Sequence, residues 1–116
     1  MQPWAGSAAE EAATLLPEGA RVVAGFHTVA ARLLQDLENE IHADVLLSGD
    51  DDGAKSVVGG LVEEIPRLRW ADAGELSTAR ITESLTGLLI SVNRKYRIRS
   101  AGVRLTGRDR WGSPKR

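Results

Sequence analysis

The sequence predicts an α/β fold: a small three-stranded parallel sheet with flanking helices and a long C-terminal helix. Three observations predict it. Short apolar runs at residues 21–26, 43–47 and 68–71 are separated by segments whose apolar residues recur at helical spacing. The first two runs lack alternation, as strands buried on both faces do. Strands that alternate with helices make a parallel sheet joined by right-handed crossovers.

Residues 1–6 read as a loose tail containing Pro3 and Gly6. Ser7-Ala8-Ala9-Glu10 is a capping box, in which the serine oxygen accepts an orphan amide and the glutamate reaches back. The Ala-, Glu- and Leu-rich run 8–16 forms a first helix that Pro17 stops. The first strand, 21–26, lies between Gly19 and the polar pair His27-Thr28. Val29, Ala30, Leu33, Leu34 and Leu37 then share one face of a helix. The second strand ends at Ser48-Gly49-Asp50. Asp51 or Asp52 caps the next helix, whose apolar positions include Ala54, Val57, Val58, Leu61, Val62 and Ile65, with Pro66 at its end.

The third strand has a weaker pattern, because Arg67 and Arg69 flank its residues, and Asp72-Ala73-Gly74 is the turn leaving it. Ser77 opens the longest helix, which reaches about Tyr96. Ile81, Leu85, Leu88, Leu89, Val92 and Tyr96 form its stripe, and Ile90 widens that stripe enough to pack on two sides. Arg94 and Lys95 suit the negative end of the helix dipole. Residues 99–106 read as extended. The domain division expected is a flexible tail at 1–6, one α/β domain at 7–107 and a flexible basic tail at 108–116.

A chain of 116 residues fits one small domain. Its net charge of −1 argues against a dedicated nucleic-acid binder. The absence of cysteine excludes disulfides and thiolate chemistry. The strongly apolar stretch 85–92 is far short of the roughly 20 residues that span a bilayer, and no signal peptide is read. A cytoplasmic protein away from membranes is expected. Three apolar strands leave unpaired sheet edges, which proteins avoid, so a second copy, another protein or a further part of the same chain should cover them.

Ligands of open parallel sheets bind beyond the C-terminal ends of the strands. Those ends offer His27-Thr28, Ser48-Gly49-Asp50 and Asp72-Ala73-Gly74. The imidazole of His27 could donate a hydrogen bond or move a proton; the plain alternative is a histidine bonded to nearby backbone. His42 falls in a polar loop and reads as solvent-facing. The stretch 49–56 lacks the spacing of a phosphate loop, and its three aspartates would repel phosphate. No G-x-G-x-x-G occurs, so a nicotinamide dinucleotide has no fingerprint here. No cluster has metal-ligand spacing, and no metal site is expected.

Several segments are similar, in order, to the C-terminal part of the coenzyme F-420-dependent NADP oxidoreductases. They include Val22-Val23-Ala24-Gly25-Phe26-His27-Thr28-Val29, Asp44-Val45-Leu46-Leu47-Ser48-Gly49-Asp50-Asp51 and Asp72-Ala73-Gly74-Glu75-Leu76. Ala79-Arg80, Glu83-Ser84-Leu85-Thr86, Asn93-Arg94-Lys95-Tyr96 and the segment from Ala101 to Gly107 continue the match, which spans residues 6–107. The resemblance implies half of a Rossmann-like doubly wound fold, and hydride transfer between NADPH and the deazaflavin F-420. By the same resemblance, His27 and Thr28 are the catalytic candidates. His27, Thr28, Val29, Ala30, Ala31, Ala101 and Gly102 would lie against the deazaflavin, the small residues Ala30, Ala31, Ala101 and Gly102 allowing close approach.

This chain departs from the family pattern in lacking the NADP-binding half, in carrying Glu75 where many relatives have proline, and in extending past residue 107. NADP is therefore not expected to bind this chain alone. The expected partners are a second copy docked through the 77–96 helix, or an NADP-binding chain. Whether the chain is an enzyme by itself stays open. Two alternatives stand beside the oxidoreductase half: a dimeric small-molecule enzyme or binding protein without a nicotinamide cofactor, and a ligand-free dimerisation module.

Overall fold

In a computed structural model, residues 5–29, 43–108 and 110–114 are described. The elements are α1 (Ala8–Leu15), β1 (Val23–Ala24), β2 (Asp44–Gly49), α2 (Asp52–Glu63), β3 (Arg69–Gly74) and α3 (Ala79–Tyr96), with a 3-10 turn over Leu76–Thr78 before α3. The helix expected from Val29 to Leu37 lies, past Val29, outside the described residues.

The fold class is as the sequence predicts, an α/β arrangement with a three-stranded sheet in the order β1-β2-β3. The expectation of an all-parallel sheet needs one correction. β3 runs parallel to β2, but β1 pairs antiparallel to it through Val23–Gly49 and Ala24–Ser48. An unbroken apolar run reports burial on both faces and carries no information about strand direction. β1 is also far shorter than the predicted strand. It stops at Gly25 and at Phe26, whose φ of 66° is left-handed and ends extended pairing.

Capping follows the sequence closely. Ser7 Oγ accepts the Glu10 amide at 3.1 Å, and Asp51 Oδ2 accepts the Ala54 amide at 2.8 Å. The Glu10 carboxylate accepts the Ser7 hydroxyl and is also held by Arg80 of α3, at 2.7 and 2.8 Å. Glu83 of α3 accepts the free amides of Ala8 and Ala9, so the long helix caps the start of the first.

The core is built around β2, where Val45 and Leu47 are fully buried beside Val29, Ala43, Val62, Leu68 and Trp70. A smaller cluster joins Ala24, Leu76 and Ala79. The packed face of α2 is Lys55, Gly59 and Val62, while Val57 and Leu61 of the predicted face stand exposed. Two contacts set this rotation. Lys55 Nζ reaches Asp72 at 2.8 Å, and Gly59 lies against the ring of Trp70, where any added Cβ would collide.

Residues 99–106 are extended but form no ladder, and single hydrogen bonds hold them. The Asp44 amide, which faces away from β3, donates to Val103 O at 2.8 Å. Near the C-terminus Gly112 N–H donates to Trp70 O at 2.9 Å and bridges Ala71 in parallel fashion, partly covering the outer edge of β3. Ser113 hydrogen-bonds Ser56 at 2.7 Å. Among the described residues, no helix is long and apolar enough to cross a membrane.

Candidate functional site

The C-terminal segment and the loop after β1 meet, although about seventy residues separate them. Phe26, in its left-handed conformation, turns the chain, and Val29 N–H closes the turn on Phe26 O at 3.4 Å. A bulky residue held at positive φ is costly, and such residues gather at functional sites. The turn presents His27 and Thr28 beside α3. Thr86 of α3 donates to His27 O at 3.1 Å, and the buried Thr28 hydroxyl donates to Asp44 O at 3.3 Å.

The opposite wall comes from the end of α3 and the extended segment after it. Arg97, with a φ of 56°, terminates the helix, and Ile98 N–H donates to Asn93 O at 3.0 Å. Asn93 Oδ1 then accepts the Ala101 amide at 2.9 Å. Gly102 approaches so closely that a Cβ there would lie 3.1 Å from Thr28 O, which suits a residue without a side chain. Between these walls runs a groove of about 470 Å3, of the size of small-molecule sites. Val29, Leu89, Ile90 and Phe26 give it apolar sides.

Of the residues singled out in the sequence, His27, Thr28, Val29 and Ala101 line this one groove, and Gly102 packs behind it on Thr28. Ala30 and Ala31 lie outside the described residues. No sequence signal marks Phe26, Thr86, Ile90, Asn93 or Arg99 as lining residues, because their roles depend on which face of α3 turns towards the loop. Helical periodicity would have suggested only that Thr86 and Asn93, seven apart, share a face.

His27 is polarised from one side. Its Nε2 lies 3.8 Å from Glu83 Oε2, while its buried Nδ1 has no hydrogen-bond partner among the described residues. Deeper in the fold, burial works against the charge of Lys55, but the hydrogen bond and charge of Asp72, with Asp52 added, outweigh it and raise its pKa. With Asp72 at 2.8 Å, Gly74 O at 3.2 Å and Asp52 at 3.4 Å, that ammonium is fully engaged. It is a structural lysine. No group of residues that could hold a metal ion occurs among the described residues.

No family model matches the chain. Individual proteins do. It is 42% identical over 104 residues to the F-420-dependent NADP reductase of Methanothermobacter marburgensis, an alignment covering 89% of this chain and 46% of that protein. To the F-420-dependent NADP reductase of Methanocaldococcus jannaschii it is 41% identical over 101 residues, covering 87% and 45%. A crystal structure from an Arthrobacter species, described as a candidate F-420-dependent NADP reductase, superposes with a TM-score of 0.76 at 26% identity, covering 87% of this chain and 46% of that one. The chain thus spans about half the length of the curated relatives it matches. With this identity over most of its own length, and with the same fold, the chain belongs with the F-420-dependent NADP reductases as a relative of their C-terminal part.

Proposed function

We propose that the groove beside His27 is the deazaflavin-facing part of an NADP:F-420 oxidoreductase, completed by an NADP-binding half from elsewhere in a longer polypeptide or from another chain. The single observation that supports this is the meeting of residues 27–29 with 101–102, the two segments that the resemblance sets against the deazaflavin. Bound F-420 would supply the hydride-carrying carbon. The chain's own residues would bind, orient and dry it.

Val29, Leu89 and Ile90 would cover a ring face and exclude water, which hydride transfer needs more than acid–base help. Thr28 fixes the turn from beneath through Asp44 O, and its own carbonyl leaves only tight room for a side chain at position 102. The Thr86 bond to its carbonyl would keep His27 at the groove wall, with the Glu83 carboxylate 3.8 Å from its Nε2. We take the working compartment to be the cytoplasm.

Titration of the purified chain with F-420, followed by absorbance and deazaflavin fluorescence, tests this. A saturable spectral change is expected, weakened in Ala101→Trp, which fills the groove. No change, alone or with an NADP-binding domain added, overturns it.

A second reading, a dimer that needs no nicotinamide cofactor, draws support from α3. Ile81, Leu88 and Tyr96 remain exposed along it, an apolar row that a second copy could cover. Dimerisation by itself is compatible with the first reading, since a dimer could carry two grooves; the two readings part over the nicotinamide cofactor.

A further inference from the structure

We infer that Arg99 selects the ligand of this groove by charge, so that the groove takes a flat aromatic system bearing an anionic side arm in preference to a neutral one. The inference rests on the reading of the groove as a deazaflavin site and adds to it the group that recognises the arm.

Among the described residues, Arg99 is the one permanently charged side chain lining the groove, and no carboxylate lines it. Within that same set, its guanidinium makes no ion pair or hydrogen bond with another residue. Other arginines differ in this respect or in place. Arg69 is bound to Asp44, Arg80 to Glu10, and Arg104 and Arg108 line a separate hollow.

Its backbone is also held, which distinguishes it from a cation on a loose tail. The bonds from Ile98 N–H to Asn93 O and from Ala101 N–H to Asn93 Oδ1 bracket it on both sides. The backbone that carries Arg99 is thus set, and its side chain is exposed at the rim, within reach of an anion on a ligand in the groove. Because the guanidinium is exposed, its attraction for an anion is screened by salt, and the charge contribution is read from the salt dependence. A guanidinium also matches the paired oxygens of a phosphate or a carboxylate, so both are candidates for the arm.

Three ligands separate these sources: F-420 itself, the deazaflavin chromophore with a neutral ribityl arm, and that chromophore with a terminal phosphate and no glutamate. Each is titrated into the wild-type chain, Arg99→Gln and Arg99→Lys by fluorescence quenching at low and high salt. Arg99→Gln should weaken F-420 about five- to tenfold and leave the neutral chromophore unchanged, with Arg99→Lys recovering most of the loss. A matching loss for the phosphorylated chromophore assigns the contact to phosphate; a loss confined to F-420 assigns it to carboxylate. Equal binding of F-420 by wild type and Arg99→Gln overturns the inference, as does an equal loss for charged and neutral ligands. If the wild-type chain binds none of the three, the deazaflavin reading falls and the role of Arg99 falls with it.

Discussion

Asp44 and Arg69 face each other at the start of two parallel strands, Nε to Oδ1 at 2.6 Å and Nη2 to Oδ2 at 2.7 Å, with the carboxylate fully buried. The pair does more than join β2 to β3. Asp44 Oδ2 also accepts the Leu105 amide, and Arg69 donates to Leu105 O at 2.9 Å and to Arg108 O at 3.2 Å. The C-terminal segment that forms one wall of the groove is therefore anchored to the sheet through this ion pair as well as through the Asp44 amide.

Arg69→Met should strand that buried carboxylate. Removing one partner of a buried pair costs about 3–5 kcal/mol, a large share of the stability of a small domain. The expected result is a drop of that order in urea denaturation, with faster hydrogen exchange at Leu105. An apolar replacement of both partners, Asp44→Leu with Arg69→Met, should recover part of the loss, because no uncompensated charge remains. A double variant as unstable as Arg69→Met would show that the lost bonds to the segment, and not the stranded charge, dominate.

The adjacent glycines of α2 should respond oppositely to alanine. Gly59 lies against the Trp70 ring, so a methyl there forces a shift and should destabilise by about 1–3 kcal/mol. Gly60 has nothing within 4 Å of where its Cβ would be. Gly60→Ala should stabilise by about 0.5–1 kcal/mol through helix propensity alone. Denaturation midpoints of the two variants, with Trp70 emission as the probe, check the contrast; equal shifts would contradict the packing of α2 on β3.

Stability should fall at both ends of the pH range for separate reasons. The hydrogen bonds from Arg80, joined by that from Ser7 and by the arginine's charge, hold the Glu10 carboxyl below the ordinary glutamate value of 4.5, against the opposing effect of burial. Its contribution is present above that value and is lost as pH falls through the lowered one. Lys55 has a pKa raised above the ordinary 10.5, so its contribution is present below that value and is lost as pH rises through the raised one. Glu10→Gln should flatten the acid limb of stability against pH, and Lys55→Met the alkaline limb. An acid limb unchanged in Glu10→Gln would place the responsible group elsewhere.

Leu88, 58% exposed, sits midway along the open row of α3. If that row is covered by a second copy, Leu88→Arg should convert a dimer to a monomer in light scattering at matched concentration, while far-ultraviolet circular dichroism stays unchanged. A dimer that survives the substitution would exclude this helix as the interface.

The order of the described elements, the caps at Ser7 and Asp51, the buried central strand, the long helix and the family resemblance were all legible in the sequence alone. Each depends on residues close together in the chain, where hydrogen-bonding reach and helical or strand period act directly. Tertiary structure decided the rest. It turned β1 antiparallel, because an apolar run carries no direction. It rotated α2 onto Lys55 and Gly59, because Asp72 could hold the ammonium and Trp70 needed the space of a missing side chain. It brought Thr28 against Gly102 and docked Gly112 on the edge of β3. Those contacts join residues whose separation hides them from any periodic pattern, and only close packing with full hydrogen bonding of buried groups selects them.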